Sequence, residues 1–138
     1  MQYNTRRQYL GNSEVVLSGS FRIDGTDDPD VIRDGNTNMV ESVVRDDVGY
    51  FIVTLASGFP IPETLRSWKI SLSRTAVPTQ EISECFLIVD TYSQISRSFE
   101  IACVDGVDGS NAAVDPDDND MISWELVGST NSAGTDAA

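Results

Sequence analysis

The chain is expected to fold as an all-β domain, an antiparallel β-sandwich of jelly-roll or Greek-key type. Three observations lead there. Residues 43–55 read Val-Val-Arg-Asp-Asp-Val-Gly-Tyr-Phe-Ile-Val-Thr-Leu, two apolar β-type runs around a polar turn, which is the pattern of a hairpin. Later stretches alternate apolar and polar residues at period two, the signature of strands with one buried face. No segment sets its apolar residues at helical spacing.

The first strand is read over residues 14–23, with Val15, Leu17 and Phe21 pointing one way and Gly19 a candidate kink. Residues 24–38 hold five Asp, two Gly and a Pro, and are read as a loop. The hairpin follows, 39–45 paired with 49–55 through Asp46-Asp47-Val48. Residues 57–62 contain Pro60 and Pro62, which forbid a central strand. A helical turn is allowed only at 62–66.

Residues 67–73 alternate with Trp68, Ile70 and Leu72 inward. Residues 85–89, Cys-Phe-Leu-Ile-Val, are apolar at every position, as expected of a central strand covered on both sides. Residues 98–104 place Phe99, Ile101 and Cys103 on one face. An acidic loop spans 105–120, and 121–127 closes the domain with Ile122, Trp124 and Leu126 inward. That makes seven strands in a domain over 14–128. Residues 1–13 read as an N-terminal arm, and 129–138 as a disordered tail with nothing to bury.

At 138 residues with 40% apolar content, the chain has enough material for one core. No apolar run approaches the roughly 18 residues that span a bilayer, and no apolar stretch follows Arg6 and Arg7 to make a secretory signal. A soluble protein made in the cytoplasm, with no membrane partner, is expected. Charge is one-sided: 22 acidic residues against 9 basic, a formal net of -13. Such a chain is repelled by phosphate backbones, so nucleic acid is not an expected partner. Asp outnumbers Glu by 15 to 7, which favours turns and loops over helix surfaces.

Chemistry is scarce. The sequence has no histidine, which removes the commonest general base, metal ligand and near-neutral pH switch. Contacts made by the domain should therefore vary little between about pH 6 and 8. Asp115, Asp117 and Asn119 match the first three ligand positions of a calcium loop. Asp120 then stands where the turn glycine belongs and Leu126 where the bidentate Glu belongs, so an EF-hand is excluded. A solvated turn is the preferred reading, and an irregular or subunit-shared Ca²⁺ site the alternative.

The carboxylate pairs Asp27/Asp28, Asp46/Asp47 and Asp117/Asp118 lie in polar stretches without an apolar wall to raise one pKa. No Gly-x-Ser-x-Gly elbow or phosphate-cradling loop is present. The expectation is no enzyme, no catalytic or metal residues and no cofactor. Cys85 and Cys103, the only thiols, sit in strand patterns as small hydrophobes. They are expected to be reduced in the cytosol, with a cross-strand disulfide formed later as the alternative. Trp68 and Trp124 are assigned to the core, with stacking on a sugar or peptide, if exposed, as the alternative. Arg6 and Arg7, flanked by Tyr3 and Tyr9, form the one basic-aromatic spot in an acidic chain, and these four are the candidate partner-binding residues.

The segment Val44-Arg-Asp-Asp-Val-Gly-Tyr-Phe-Ile-Val-Thr-Leu55 resembles a strand-turn-strand signature, roughly Val-x-Arg-x-Gly-x-Gly-x-Tyr-x-Val-Thr-Leu, of small virion proteins of tailed bacteriophages. The later pattern is similar too: an aromatic-bearing strand at 98–104, a loop with Ala112, Ala113 and Asp115, and a last strand built on Ile122, Trp124 and Leu126. The likeness covers about residues 40–128. It departs at Asp47, where a Gly is common, and in an unusually acidic first loop. The resemblance implies a jelly-roll-like virion protein, often trimeric, that decorates the capsid exterior as a cement protein and clamps major capsid protein subunits. The alternative it implies is a receptor- or glycan-binding module of a fibre or head spike.

Overall fold

The computed structural model describes residues 14–33, 39–58, 60–74, 82, 84–105 and 112–129. Among these the fold is all-β, and every strand pairing is antiparallel. Nine strands run in the order β1 (Glu14–Asp24), β2 (Asp27–Val31), β3 (Val40–Asp47), β4 (Tyr50–Leu55), β5 (Thr64–Ser73), β6 (Glu84–Ser93), β7 (Ser98–Asp105), β8 (Ala112–Ala113) and β9 (Met121–Ser129). The first sheet has the order β2-β1-β9-β5. The second has β3-β4-β7-β6, with the short β8 also on β7. The chain passes between sheets from β2 to β3, from β4 to β5, from β5 to β6 and from β8 to β9, and β4 lies beside β7 as β5 lies beside β9.

Period-two side chains from both sheets meet in one core. β9 alternates strictly, with Ile122, Trp124 and Leu126 buried. β1 offers Leu17, Phe21 and Ile23, and the second sheet answers with Val43, Phe51, Val53, Phe99 and Ile101. Two aromatic pairs bridge the sheets: Phe21 against Phe51 at 5.5 Å between ring centroids, and Phe99 edge-on to Trp124 at 5.0 Å. Such pairs each contribute about 0.5–1.5 kcal/mol beyond simple burial.

Several sequence expectations need correction. Gly19 does not kink β1, whose register with β9 runs unbroken from Glu14 to Arg22. It is small because Trp124 lies over it: a Cβ there would stand 2.6 Å from the indole ring. The stretch read as a first loop contains β2, which pairs with β1 through Phe21↔Val31 and Arg22↔Asp30. Its Asp-rich composition hides a strand because β2 lies at the rim of its sheet and β1 supplies the partner backbone. The helical turn expected at 62–66 is instead the start of β5, held at Thr64↔Ser129.

The strand at 85–89 is not central. β6 ends its sheet, and β7 is the doubly covered strand, with Phe99, Ile101, Ala102, Cys103 and Val104 all buried. The arm and the tail beyond Ser129 lie outside the described residues.

Candidate functional site

Two regions stand out: the acidic loop that returns to β9, and the side of the molecule where β5 and β6 end their sheets. The candidate partner-binding residues Tyr3, Arg6, Arg7 and Tyr9 lie outside the described residues.

The acidic loop is not the solvated turn that its composition suggests. Arg45, projecting from β3, grips the Asp115 carboxylate through both Nε (3.1 Å to each oxygen) and Nη2 (2.7 Å). That bidentate hydrogen bond raises the Arg45 pKa further above its usual value. Asp115 also accepts from the Gly49 N–H at 2.8 Å. Gly49 has φ 77° and no room for a side chain, since a Cβ would meet Cys103 O, Val114 N and Val114 O at 2.8 Å each. The hairpin turn, β7 and the loop therefore converge on one residue that must be glycine.

Further along, Asp120 is 2% exposed. Its carboxylate accepts from Arg74 Nε at 3.0 Å and from the Asp117 N–H at 2.9 Å, and Arg74 also faces Asp117 at 3.3 Å. The backbone between Asn119 and Asp120 exchanges two 2.8 Å hydrogen bonds with Ile23. Asp118 accepts from the Gly25 N–H. These carboxylates are spent on arginines and amides, and among the described residues no group of three or more His, Cys, Asp or Glu converges to hold a metal. At the same end, the charge of Asp30, slight desolvation, and the charges of Asp27 and Asp118 together raise the pKa of the exposed Asp24.

The β5/β6 side is built differently. Both are terminal strands, and they approach each other across the two sheets. Trp68, Ile70 and Leu72 occupy the register positions facing the core, opposite Leu126, Trp124 and Ile122. Yet Trp68 is 41% exposed, against 2% for Trp124. Its assignment to the core is therefore wrong, because no further strand covers β5 among the described residues. On β6, Val89 is 47% exposed. Pairing with β7 breaks between Ile88 and Ser93, where Thr91 Oγ1 donates to the Ile88 carbonyl and accepts from the Glu100 N–H.

A groove of about 410 Å³ opens between the two strands, lined by Ile70, Leu72, Arg74, Ile82, Glu84 and Cys85. The β6–β7 turn carries Ile95 at 96% exposure. Just before that turn, Tyr92 donates its hydroxyl to the Pro62 carbonyl, and burial pushes its pKa up to about 12 against the opposing charge of Arg97.

The outer sheet faces are less distinctive. That of the first sheet bears a shallow trough of about 320 Å³ with Ser18, Ser20, Ser71, Ser123, Lys69 and Glu125. On the second, Glu100 sits between Ile52 and Ile88. Desolvation there, then a hydrogen bond with Asp46 and its charge, holds the Glu100 carboxyl above the usual range.

Sequence reasoning missed Arg45, Arg74 and Asp120 as a structural set. A signal existed for Arg45, an arginine inside an apolar strand of a chain rich in Asp. None marked the exposed edge. No protein-family model matches the chain, and no match to it was found among curated proteins or solved structures. The likeness to tailed-phage virion proteins thus rests on the residues quoted above.

Proposed function

We propose that this chain is a structural virion protein, a capsid decoration protein that binds the outside of a phage head and bridges major-capsid subunits. The β5/β6 edge is the surface that seats on the shell. One observation carries this reading: Trp68, in core register on the terminal strand β5, remains open to solvent, and Val89 on the terminal strand β6 is exposed as well. Sheet edges are ordinarily covered or blunted with charge, and an exposed aromatic beside a groove is the usual anchor of a protein contact. Ile95, in the turn that follows β6, is also exposed.

Asp115, Asp118 and Asp120 do not compete for this role, because their carboxylates are engaged within the fold. The reading includes no catalysis, self-association as a trimer on the particle, and the 1–13 arm with Tyr3, Arg6, Arg7 and Tyr9 as a second contact. The crossings β4–β5 and β8–β9, with β4 beside β7 and β5 beside β9, favour a Greek-key sandwich for the two sheets.

The test is co-sedimentation of the purified chain with capsids that lack it. Trp68→Lys is expected to lower occupancy by about tenfold or more while leaving the melting temperature nearly unchanged. Undiminished occupancy by a folded Trp68→Lys chain would remove the edge from the account.

A further inference from the structure

Cys85 and Cys103 are direct partners across β6 and β7. The Cys103 N–H donates to the Gly49 carbonyl at 2.8 Å, and the Cys103 carbonyl accepts from the Val114 N–H at 3.0 Å. Both backbone groups of Cys103 thus point away from β6. In an antiparallel ladder this makes Cys85–Cys103 a non-hydrogen-bonded pair, the kind whose Cα atoms lie about 4.5 Å apart. Disulfides span Cα separations of about 4.4–6.8 Å, so the register suits a bridge with the backbone where it is. The two Sγ atoms are 2.9 Å apart, about 0.9 Å beyond a formed bond of about 2.05 Å.

The two thiols differ in access. Cys103 is 0% exposed, whereas Cys85 is half-buried and opens onto the groove beside Arg74. We propose that this pair is a thiol–disulfide exchange site, in which Cys85 attacks a small-molecule disulfide in the groove and Cys103 resolves the adduct into a cross-strand disulfide. In the first step Cys85 Sγ, as thiolate, bonds to one sulfur of R–S–S–R and expels RS⁻, which takes up the proton that Cys85 released. In the second, Cys103 loses its proton and attacks Cys85 Sγ, and the second RS⁻ leaves with that proton. The protein dithiol is oxidised by two electrons, and the small disulfide is reduced to two thiols.

The assignment of roles follows the same asymmetry. The hydrogen bond from Cys103 pushes the Cys85 pKa down, against its desolvation and with help from the Arg74 charge. The shared hydrogen bond and burial push the Cys103 thiol up. The thiolate is the nucleophile, so Cys85 reacts first. Closing the bond would staple the terminal strand β6 to the doubly buried β7 at the mouth of the groove. The site is independent of the capsid reading.

The test uses the full reduced chain and glutathione disulfide, followed by intact mass, free-thiol titration and thermal melting. The native chain is expected to lose both thiols within one monomer, with a mass decrease of two hydrogens and a Tm rise on the order of 5–10 °C. Cys103→Ala is expected to stop at one glutathione adduct on Cys85. Cys85→Ala is expected to leave Cys103 reacting about tenfold or more slowly than Cys85 does in the native chain. Should Cys103→Ala fail to fold, peptide mapping of the native chain quenched early is expected to find glutathione on Cys85. The proposal is overturned by an early adduct on Cys103, by a lasting adduct or disulfide-linked dimer of the native chain, or by an undiminished rate at Cys103 in Cys85→Ala.

Discussion

At the acidic end of the molecule, Asp115 and Asp120 are each held by an arginine and a backbone amide. Along the β5/β6 edge, Trp68 and Val89 keep 41% and 47% of their surface in water although β5 and β6 line the core. The carboxylates that composition would hand to solvent are satisfied internally, and the apolar groups it would hand to the core are partly left outside. Buried charge without a partner costs several kcal/mol, so the acidic end has been closed for stability. An uncovered strand edge gives the isolated domain nothing, and it gains meaning only from a contact. Function is therefore expected at the edge, and structural necessity at the loop.

That contrast can be broken first at Asp120. Asp120→Ala removes the carboxylate facing the half-buried Arg74 guanidinium and is expected to cost about 3 kcal/mol in urea unfolding. A loss below about 1 kcal/mol would mean the acidic end is solvated after all. Gly49→Ala should follow at roughly 2–3 kcal/mol, because a side chain must adopt φ 77° and displace either the loop or β7.

The smallest effect is a pH dependence at Glu100. Its folded pKa lies above the usual 4.5, so just above that value the folded state binds more protons than the unfolded chain. Stability then falls as pH rises through that window. Glu100→Gln removes the penalty and is expected to raise Tm by about 1–3 °C at pH 7, with no gain below about pH 4. Equal gains at both pH values would show that burial between Ile52 and Ile88 has no electrostatic cost.

The strands most legible in the sequence were those with one wet face. The alternation at Ile122, Trp124 and Leu126 and the hairpin around Gly49 placed β9, β3 and β4 to within two residues at each end. β2 was illegible because its Asp-Asp-Pro-Asp-Val sequence carries no apolar period, and its pairing comes entirely from β1. The exchange of roles between β6 and β7 has another cause. Cys85 to Val89 is apolar throughout, but whether a strand is flanked on both sides depends on sheet order, which is a non-local property.

The same limit hid the exposed Trp68, whose local alternation is indistinguishable from that of Trp124. The carboxylate network was hidden for a third reason: Arg45 and Asp115 are 70 positions apart, and only the assembled sheets bring them together.

Hydrogen exchange of the whole chain, alone and bound to capsids, tests the central claim most directly. Protection on binding is expected in residues 64–73 and 84–93, with the already bonded 114–120 segment unchanged. Protection confined to 24–31 and 114–120, with β5 and β6 exchanging as in the free chain, would contradict the assignment of contact to the open edge.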